Sequence, residues 1–217
     1  MAKFDLTARM APFLDPHLIT PLLEFLEPRT LYDVKSVTEM QRNILSKTNM
    51  IDALIDTYQN EEVPTDLKKR KSEILKERDE LKAKVDPLIE VLELKEVQEM
   101  LENNRDRDGN SRIFEYLSQK HDFNAESVDN LYKYSKFMFA CGNYRVASVS
   151  LLYFRNLANQ TDNRFLHSLY GKLASEILLQ EWDHARDDLV RLRAYIDANP
   201  FETEWELVTQ SYELKTE

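Results

Sequence analysis

The sequence predicts an all-α fold arranged as a right-handed solenoid of helical hairpins. Three observations lead to this prediction. Only 3 of the 217 residues are glycine, apolar residues recur at helical spacing along most of the chain, and one segment matches a later one at an offset of 38 residues. Scarce glycine disfavours many-stranded folds, because the tight turns that close β-hairpins need residues with positive φ.

The positions of the glycines also exclude phosphate-binding loops. Gly109, Gly142 and Gly171 are separated by 33 and 29 residues. A phosphate-binding loop needs at least two glycines within a few residues, so that the backbone can curl around the anion. A nucleotide-binding α/β enzyme is therefore disfavoured, and no cofactor is expected.

Charge and cysteine content limit the partners and the compartment. The chain has 29 basic and 39 acidic residues, a net charge of −10 that repels a nucleic-acid backbone. The single cysteine, Cys141, cannot form an internal disulfide, which fits a reducing compartment. No signal peptide or uncharged run long enough to span a membrane is present in the sequence, so we expect a soluble, intracellular protein without a membrane partner.

Four helices are predicted in the first sixty residues from apolar spacing and from helix caps. They are Phe4–Leu14, Leu18–Leu26, Leu31–Leu45 and Met50–Tyr58. We expect Pro16 to end the first of them, and Pro21 to lie in the first turn of the second. The second helix is read as a buried layer of the stack, and a leucine-rich nuclear export signal is the alternative.

A long charged helix is predicted over residues 65–92. Leucine or isoleucine recurs every seven residues from Leu67 to Leu88, with charged residues between, which is typical of a rod that contacts one partner along a narrow stripe. Pro87 is expected to kink or end it. The basic run Lys68–Lys71 allows an alternative function as an RNA-binding module, although acidic residues follow it and no aromatic residues interleave for base stacking.

A polar loop at residues 103–110 is predicted to divide the chain. Residues 1–102 then form N-terminal helical layers, with a further helix at Val91–Leu101, and residues 111–217 form the repeats. Gly109 marks the loop. Ser111 is predicted to cap a short helix after it.

Two repeat units are predicted at about 129–158 and 165–197, and they resemble tetratricopeptide-type helical hairpins. In the first, Gly142 supplies the positive φ after the first helix, Tyr144 wedges between the helices, and Ala147 lets them approach. The second unit has Trp182 and Ala185 at the equivalent positions but Gln180 in place of glycine, so this turn must be strained or close differently. The apolar residues that fill the helix faces are Leu151 and Phe154 in the first unit, and Leu189 and Leu192 in the second. Gly171 lies inside a helix, where close packing against a neighbouring helix would explain it.

No arrangement of residues predicts catalysis or a metal site. The four histidines, His17, His121, His167 and His184, show no i,i+4 pair and no neighbouring cysteine cluster. Cys141 is read as a packing residue. The sequence therefore predicts a protein that is not an enzyme and has no metal ligands.

Several stretches resemble the e subunit of eukaryotic translation initiation factor three. They begin with Phe4-Asp5-Leu6-Thr7, Phe13-Leu14-Asp15, Pro21-Leu22-Leu23-Glu24-Phe25-Leu26, Thr48-Asn49-Met50 and Arg107-Asp108-Gly109. They continue with Leu131-Tyr132-Lys133-Tyr134, Cys141-Gly142-Asn143-Tyr144, Tyr153-Phe154, Gly171 to Leu178 and Trp182-Asp183. The match covers the chain to about Leu192, and these strings in this order are specific.

The resemblance implies a non-catalytic scaffold with PCI-type helical repeats and, in this chain, no winged helix. It implies docking to other subunits of the factor, notably d and also c and l, near the small ribosomal subunit, with mRNA contact indirect or weak. The implied location is cytoplasmic, with a nuclear one left open. Candidate partner-binding residues in the repeats are Tyr132, Lys133, Lys136 and Lys172. A scaffold subunit of the proteasome lid or signalosome is the alternative assignment.

Overall fold

The computed structural model describes residues 14–29, 33–59, 61–103, 109–121, 123–159 and 161–199. Every regular element in these ranges is a helix, which confirms the all-α prediction. The helices are α1 Pro16–Leu26, α2 Val34–Leu45, α3 Ile51–Asp56, α4 Thr65–Leu92, α5 Lys95–Asn103, α6 Gly109–His121, α7 Ala125–Ala140, α8 Tyr144–Leu157, α9 Arg164–Leu178 and α10 Trp182–Ala198, with a 3-10 turn at Glu27–Arg29. The predicted helix Phe4–Leu14 falls, apart from Leu14, outside the described residues.

The chain divides into two compact units. Residues 1–77 with 140–142 form one, and residues 78–139 with 143–217 form the other. The predicted division at residues 103–110 stays a prediction, because residues 104–108 lie outside the described ranges. Around them, Asn103 ends α5 and Gly109 begins α6. Ser111 therefore lies inside a helix that begins two residues before its predicted cap.

The first unit has its own small core between α1 and α2. Ile19, Leu23 and Ile44 are buried together, with Met40 packed against them. Pro16 is the first residue of α1, where its missing N–H costs no hydrogen bond, and Pro21 lies in the helix interior. Pro21 therefore differs from its predicted place in the first turn, whereas the helix that Pro16 is predicted to end falls outside the described residues.

The long helix α4 spans the residues predicted for it. Pro87 does not end it, because α4 continues to Leu92. A proline inside a helix removes one backbone hydrogen bond. Val85 and Leu92 are fully buried on either side of Pro87, and their burial stabilises the continued helix. None of the helices in the described ranges combines the length and apolar character needed to cross a membrane.

The chain contains two helical hairpins, α7–α8 and α9–α10, whose turns have the same geometry. Gly142 has a φ of +80°, and Gln180, 38 residues later, has a φ of 60°. The following N–H groups, of Asn143 and Glu181, donate to the carbonyls of Met138 and Glu176 at 2.9 and 3.0 Å. Both turns thus close in the way that ends many helices, with one residue in the left-handed region. Of the two alternatives predicted for this turn, a different closure or a strained Gln180, the structure shows the strained Gln180.

Gly171 lies where α9 approaches α8. A Cβ atom at this position would be 3.1 Å from the Leu151 side chain. Glycine therefore permits the close approach that the sequence predicted for it. A second cluster of buried residues, Phe165, Leu166, Leu169 and Leu192, joins α9 to α10.

The two turn positions give a paired prediction about stability. Gly142→Gln should lower the free energy of unfolding by about 1–2 kcal/mol, because a side chain is strained at positive φ. A Cβ there would also lie 3.1 Å from Met50. Gln180→Gly should raise it by about 0.5–1 kcal/mol, since relief of strain exceeds the added entropy of the unfolded chain. Urea unfolding followed by circular dichroism measures both, and changes of the same sign would contradict the shared turn geometry.

Candidate functional site

The four candidate partner-binding residues differ in their surroundings. Lys133 and Lys136 are exposed on α7, whereas Tyr132 is half-buried with its ring 5.0 Å from that of Phe154. Lys172 is only 7% exposed. Lys133 and Lys136 therefore remain the candidates that a partner can reach directly.

Lys172 belongs to a buried cluster of ion pairs. Its Nζ donates to Asp188 Oδ2 and to Glu176 Oε1, each at 2.6 Å. Arg155 Nη1 donates to Asp188 Oδ1 at 3.1 Å, and Ser148 Oγ donates to Glu176 Oε1 at 2.6 Å. Because Arg155, Lys172 and Asp188 come from three helices, the cluster ties α8, α9 and α10 together.

Electrostatics in the cluster are governed by burial and by pairing. Burial raises the pKa of Asp188, but hydrogen bonds and charge from Lys172 and Arg155 outweigh it and leave the pKa below its usual value. Burial lowers the pKa of Arg155 more than the Asp188 carboxylate raises it. Asp188, Lys172 and Arg155 are engaged with one another in the interior, so their pairing supports structure.

Tyr132 is held by a second set of internal contacts. The Arg164 guanidinium lies 5.6 Å from the ring centroids of both Tyr132 and Phe154. Arg164 also pairs with Asp129 and Asp162. The hydrogen bonds that Arg164 donates to the Asp162 carboxylate are the main reason that the pKa of Arg164 lies above its ordinary value. Packing against Phe154 and Arg164 is thus one role of the Tyr132 ring.

The outer side of α10 carries an exposed apolar surface that the sequence analysis missed. Trp182, Leu189 and Val190 are 63%, 54% and 64% exposed, and we call these three residues the α10 face. The predicted wedge of Trp182 and the predicted core position of Leu189 are therefore wrong. Ala185 and Leu192, by contrast, are buried as predicted.

Comparison of the two hairpins explains why these residues are exposed. Leu151, the equivalent of Leu189 in the first hairpin, is 5% exposed because α9 packs over it at Gly171. Tyr144, the equivalent of Trp182, is half-buried with its ring 5.4 Å from that of Phe139. In the described part of the chain, no later helix covers α10 in the way that α9 covers α8. In the described residues, the α10 face is thus an exposed apolar surface at positions that the next helix covers in the first hairpin.

The basic run on α4 is partly occupied by internal contacts. Arg70 donates to the carbonyls of Ser46 and Thr48 at 2.9 and 2.8 Å, and Lys71 pairs with Asp52 at 2.5 Å. Half of the four-residue run is therefore engaged within the first unit. This leaves less positive charge for the phosphates of an RNA.

Helix α1 has one buried and one exposed apolar side. His17, Ile19 and Leu23 are buried, and Leu18, Leu22 and Phe25 are exposed. The Arg29 guanidinium lies over the Phe25 ring, 3.2 Å from its centroid. The segment is therefore a helical layer that also presents apolar residues, and its interpretation as an export signal stays open.

Comparisons with known proteins place the chain in one group of sequences. The family model described as "eIF3 subunit 6 N terminal domain" matches residues 5–138. E subunits of eukaryotic translation initiation factor 3 are similar over most of the chain. The one from Caenorhabditis elegans is 66% identical over 97% of this chain and 49% of its own length. The one from Brugia malayi is 53% identical over 97% of this chain and 47% of its own length.

A more distant relative shows slightly lower coverage. The E subunit of the factor from Bombyx mori is 40% identical over 90% of this chain and 45% of its own length. The chain thus spans about half the length of the curated relatives it matches.

Proposed function

This chain belongs to the family formed by the E subunit of eukaryotic translation initiation factor 3, and we propose that it acts as a non-catalytic scaffold within that factor. It docks other subunits, notably d and also c and l, and helps to recruit mRNA to the small ribosomal subunit. The family assignment replaces the alternative of a proteasome-lid or signalosome scaffold. We propose a cytoplasmic location, where translation initiation takes place.

The α10 face is the observation that carries the scaffold proposal. Its residues are exposed, whereas their equivalents in the first hairpin are covered by the next helix. A helical hairpin cannot bury its apolar side alone, and stacking of the next one completes the core. We propose that a further helical hairpin covers the α10 face, since this chain spans about half the length of the curated relatives it matches.

Docking of other subunits is assigned to the exposed side of α7. Lys133 and Lys136 lie there within one helical turn and present two positive charges on an acidic chain. We propose that they contact an acidic surface of the d subunit, beside Tyr132. With a net charge of −10, contact with mRNA is proposed to be indirect or weak.

A pull-down tests the docking role and its location together. The immobilised chain should capture purified d subunit, and Lys133→Glu with Lys136→Glu should weaken capture about five- to tenfold, since each exposed charge pair is worth about 0.2–1 kcal/mol. The matched control is Lys68→Glu with Lys69→Glu on α4, which changes the net charge by the same amount at exposed positions. This control should leave capture unchanged.

Two outcomes would overturn parts of the proposal. If the chain captured none of the d, c and l subunits, the docking role would be rejected. Equal weakening by the two double variants would show a general charge effect and would reject the α7 site. Salt-dependent RNA binding that is lost only in the α4 variant would support the RNA-binding alternative instead.

A further inference from the structure

Three potential metal ligands meet at the turn between α9 and α10. His184 Nδ1 lies 3.1 Å from Glu181 Oε2 and 3.8 Å from Glu176 Oε2. One ligand atom from each of the three residues lies within 4.8 Å of the other two. The spacing of five and three residues gives no i,i+4 pair, so the sequence analysis did not detect this cluster.

The left-handed turn at Gln180 brings these residues together. The N–H of Glu181 donates to the Glu176 carbonyl at 3.0 Å, which folds the start of α10 back onto the end of α9. Three residues further along, His184 lies on the first turn of α10. The first hairpin has the same turn but carries Met138, Asn143 and Val146 at the equivalent positions, so the cluster is particular to the second hairpin.

The second carboxylate oxygen of Glu176 favours the binding of a cation at this cluster. The Glu176 side chain is 5% exposed, and its Oε1 accepts hydrogen bonds from Lys172 and Ser148. Its Oε2 is buried and has no hydrogen-bond partner. A buried polar atom without a partner is unfavourable, because it has lost its contact with water, and an ion bound at this oxygen would remove that cost.

We propose that Glu176, Glu181 and His184 bind a zinc ion, with water as the fourth ligand. Ligand atoms that surround zinc tetrahedrally at about 2.0–2.2 Å lie roughly 3.3 Å apart, between the two distances from His184 Nδ1. One imidazole nitrogen with two carboxylate oxygens suits zinc, whereas magnesium and calcium prefer oxygen ligands throughout.

The residues around the cluster hold the ligands in place. Lys172 and Ser148 bind Glu176 Oε1, and Arg145 Nη2 lies 2.5 Å from Glu181 Oε1. The two Oε2 atoms are on the His184 side: Glu181 Oε2 contacts His184 Nδ1, and Glu176 Oε2 has no hydrogen-bond partner. Such outer contacts orient the ligands of metal sites. Lys172 and Arg145 also repel a divalent cation, so binding should be weaker than at a four-ligand structural site. The bound ion would link α9 to α10 and stabilise the second hairpin.

Calorimetric titration with zinc chloride tests the site in the full chain, after chelator treatment and without a histidine tag. We expect one zinc ion per chain. His184→Ala and Glu181→Gln should each weaken binding about tenfold or more, because each removes one of three ligands. The matched control His121→Ala, at the end of α6, should bind zinc as the unchanged chain does. Cobalt in place of zinc should give the visible absorption of a tetrahedral site, lost in His184→Ala.

If calorimetry detected no binding at millimolar zinc, the proposal would be overturned. Binding that His184→Ala leaves unchanged would do the same, because it would show an adventitious ion elsewhere. His184 is an exposed side chain, and circular dichroism verifies that its variant is folded. Glu181→Gln gives a second measurement that does not depend on the histidine.

Discussion

Asp188→Ala is expected to lower the free energy of unfolding by about 3–5 kcal/mol, the usual cost of removing one partner from a buried ion pair. Asp188 is 2% exposed and accepts hydrogen bonds from both Arg155 and Lys172. Without this carboxylate, the buried cations Arg155 and Lys172 lose the counter-charge that they share. Urea unfolding measured by circular dichroism gives the difference.

The neighbouring residue provides the control for this experiment. Asp187 is exposed on the same turn of α10, and Asp187→Ala should change stability by no more than about 0.5 kcal/mol. Both variants lose one negative charge and one carboxylate. A similar small effect for Asp188→Ala would show that the cluster does not stabilise the second unit.

The effect of Asp188→Ala should also depend on pH. The pKa of Asp188 in the folded chain lies below its usual value, because Lys172 and Arg155 outweigh the effect of burial. The unfolded chain therefore binds a proton more readily than the folded one. The stabilisation by Asp188 is complete above the unfolded pKa of about 3.9 and is lost as the pH falls through the lower folded pKa. The difference between the two proteins should shrink in acid accordingly.

Phe154→Ala is expected to have a comparable effect, a loss of about 3–5 kcal/mol, because it removes a fully buried aromatic side chain and leaves a cavity. Phe154 is 0% exposed, and it contacts the Tyr132 ring and lies near the Arg164 guanidinium. The loss should appear as a lower denaturant midpoint with an unchanged slope of the transition.

A valine on the same helix serves as the comparison for Phe154. Val149 is 40% exposed on α8, and Val149→Ala should change stability by less than about 1 kcal/mol, since alanine also favours the helix. If Phe154→Ala had an equally small effect, the second unit could not have its core at this position.

The hairpins could be predicted from the sequence because their turns repeat a local rule. Gly142 and Gln180 occupy the same left-handed position at an offset of 38 residues, and the helices on either side follow from apolar spacing. Such features depend on neighbours in the chain and on one backbone angle. The helices and their turns can therefore be predicted from the sequence without knowledge of long-range contacts.

The buried ion pairs could not be predicted in the same way. Asp188 lies 16 residues from Lys172 and 33 from Arg155, and each looks like a solvated charge on its own helix. Burial of Leu189 and Trp182 was predicted from their repeat positions, but burial there depends on a following helix. His184 lies close to the carboxylates of Glu176 and Glu181 only because the turn at Gln180 brings the three residues together.

The ion cluster across three helices also affects how this part of the chain unfolds locally. Separation of α8, α9 or α10 from the other two would break at least one of the buried ion pairs. Fraying of a single helix in this part of the chain is therefore penalised, and the three open together as one cooperative segment. Proteases and amide exchange act on transient openings, so this segment is protected in proportion to the stability of all three helices and not of the weakest one.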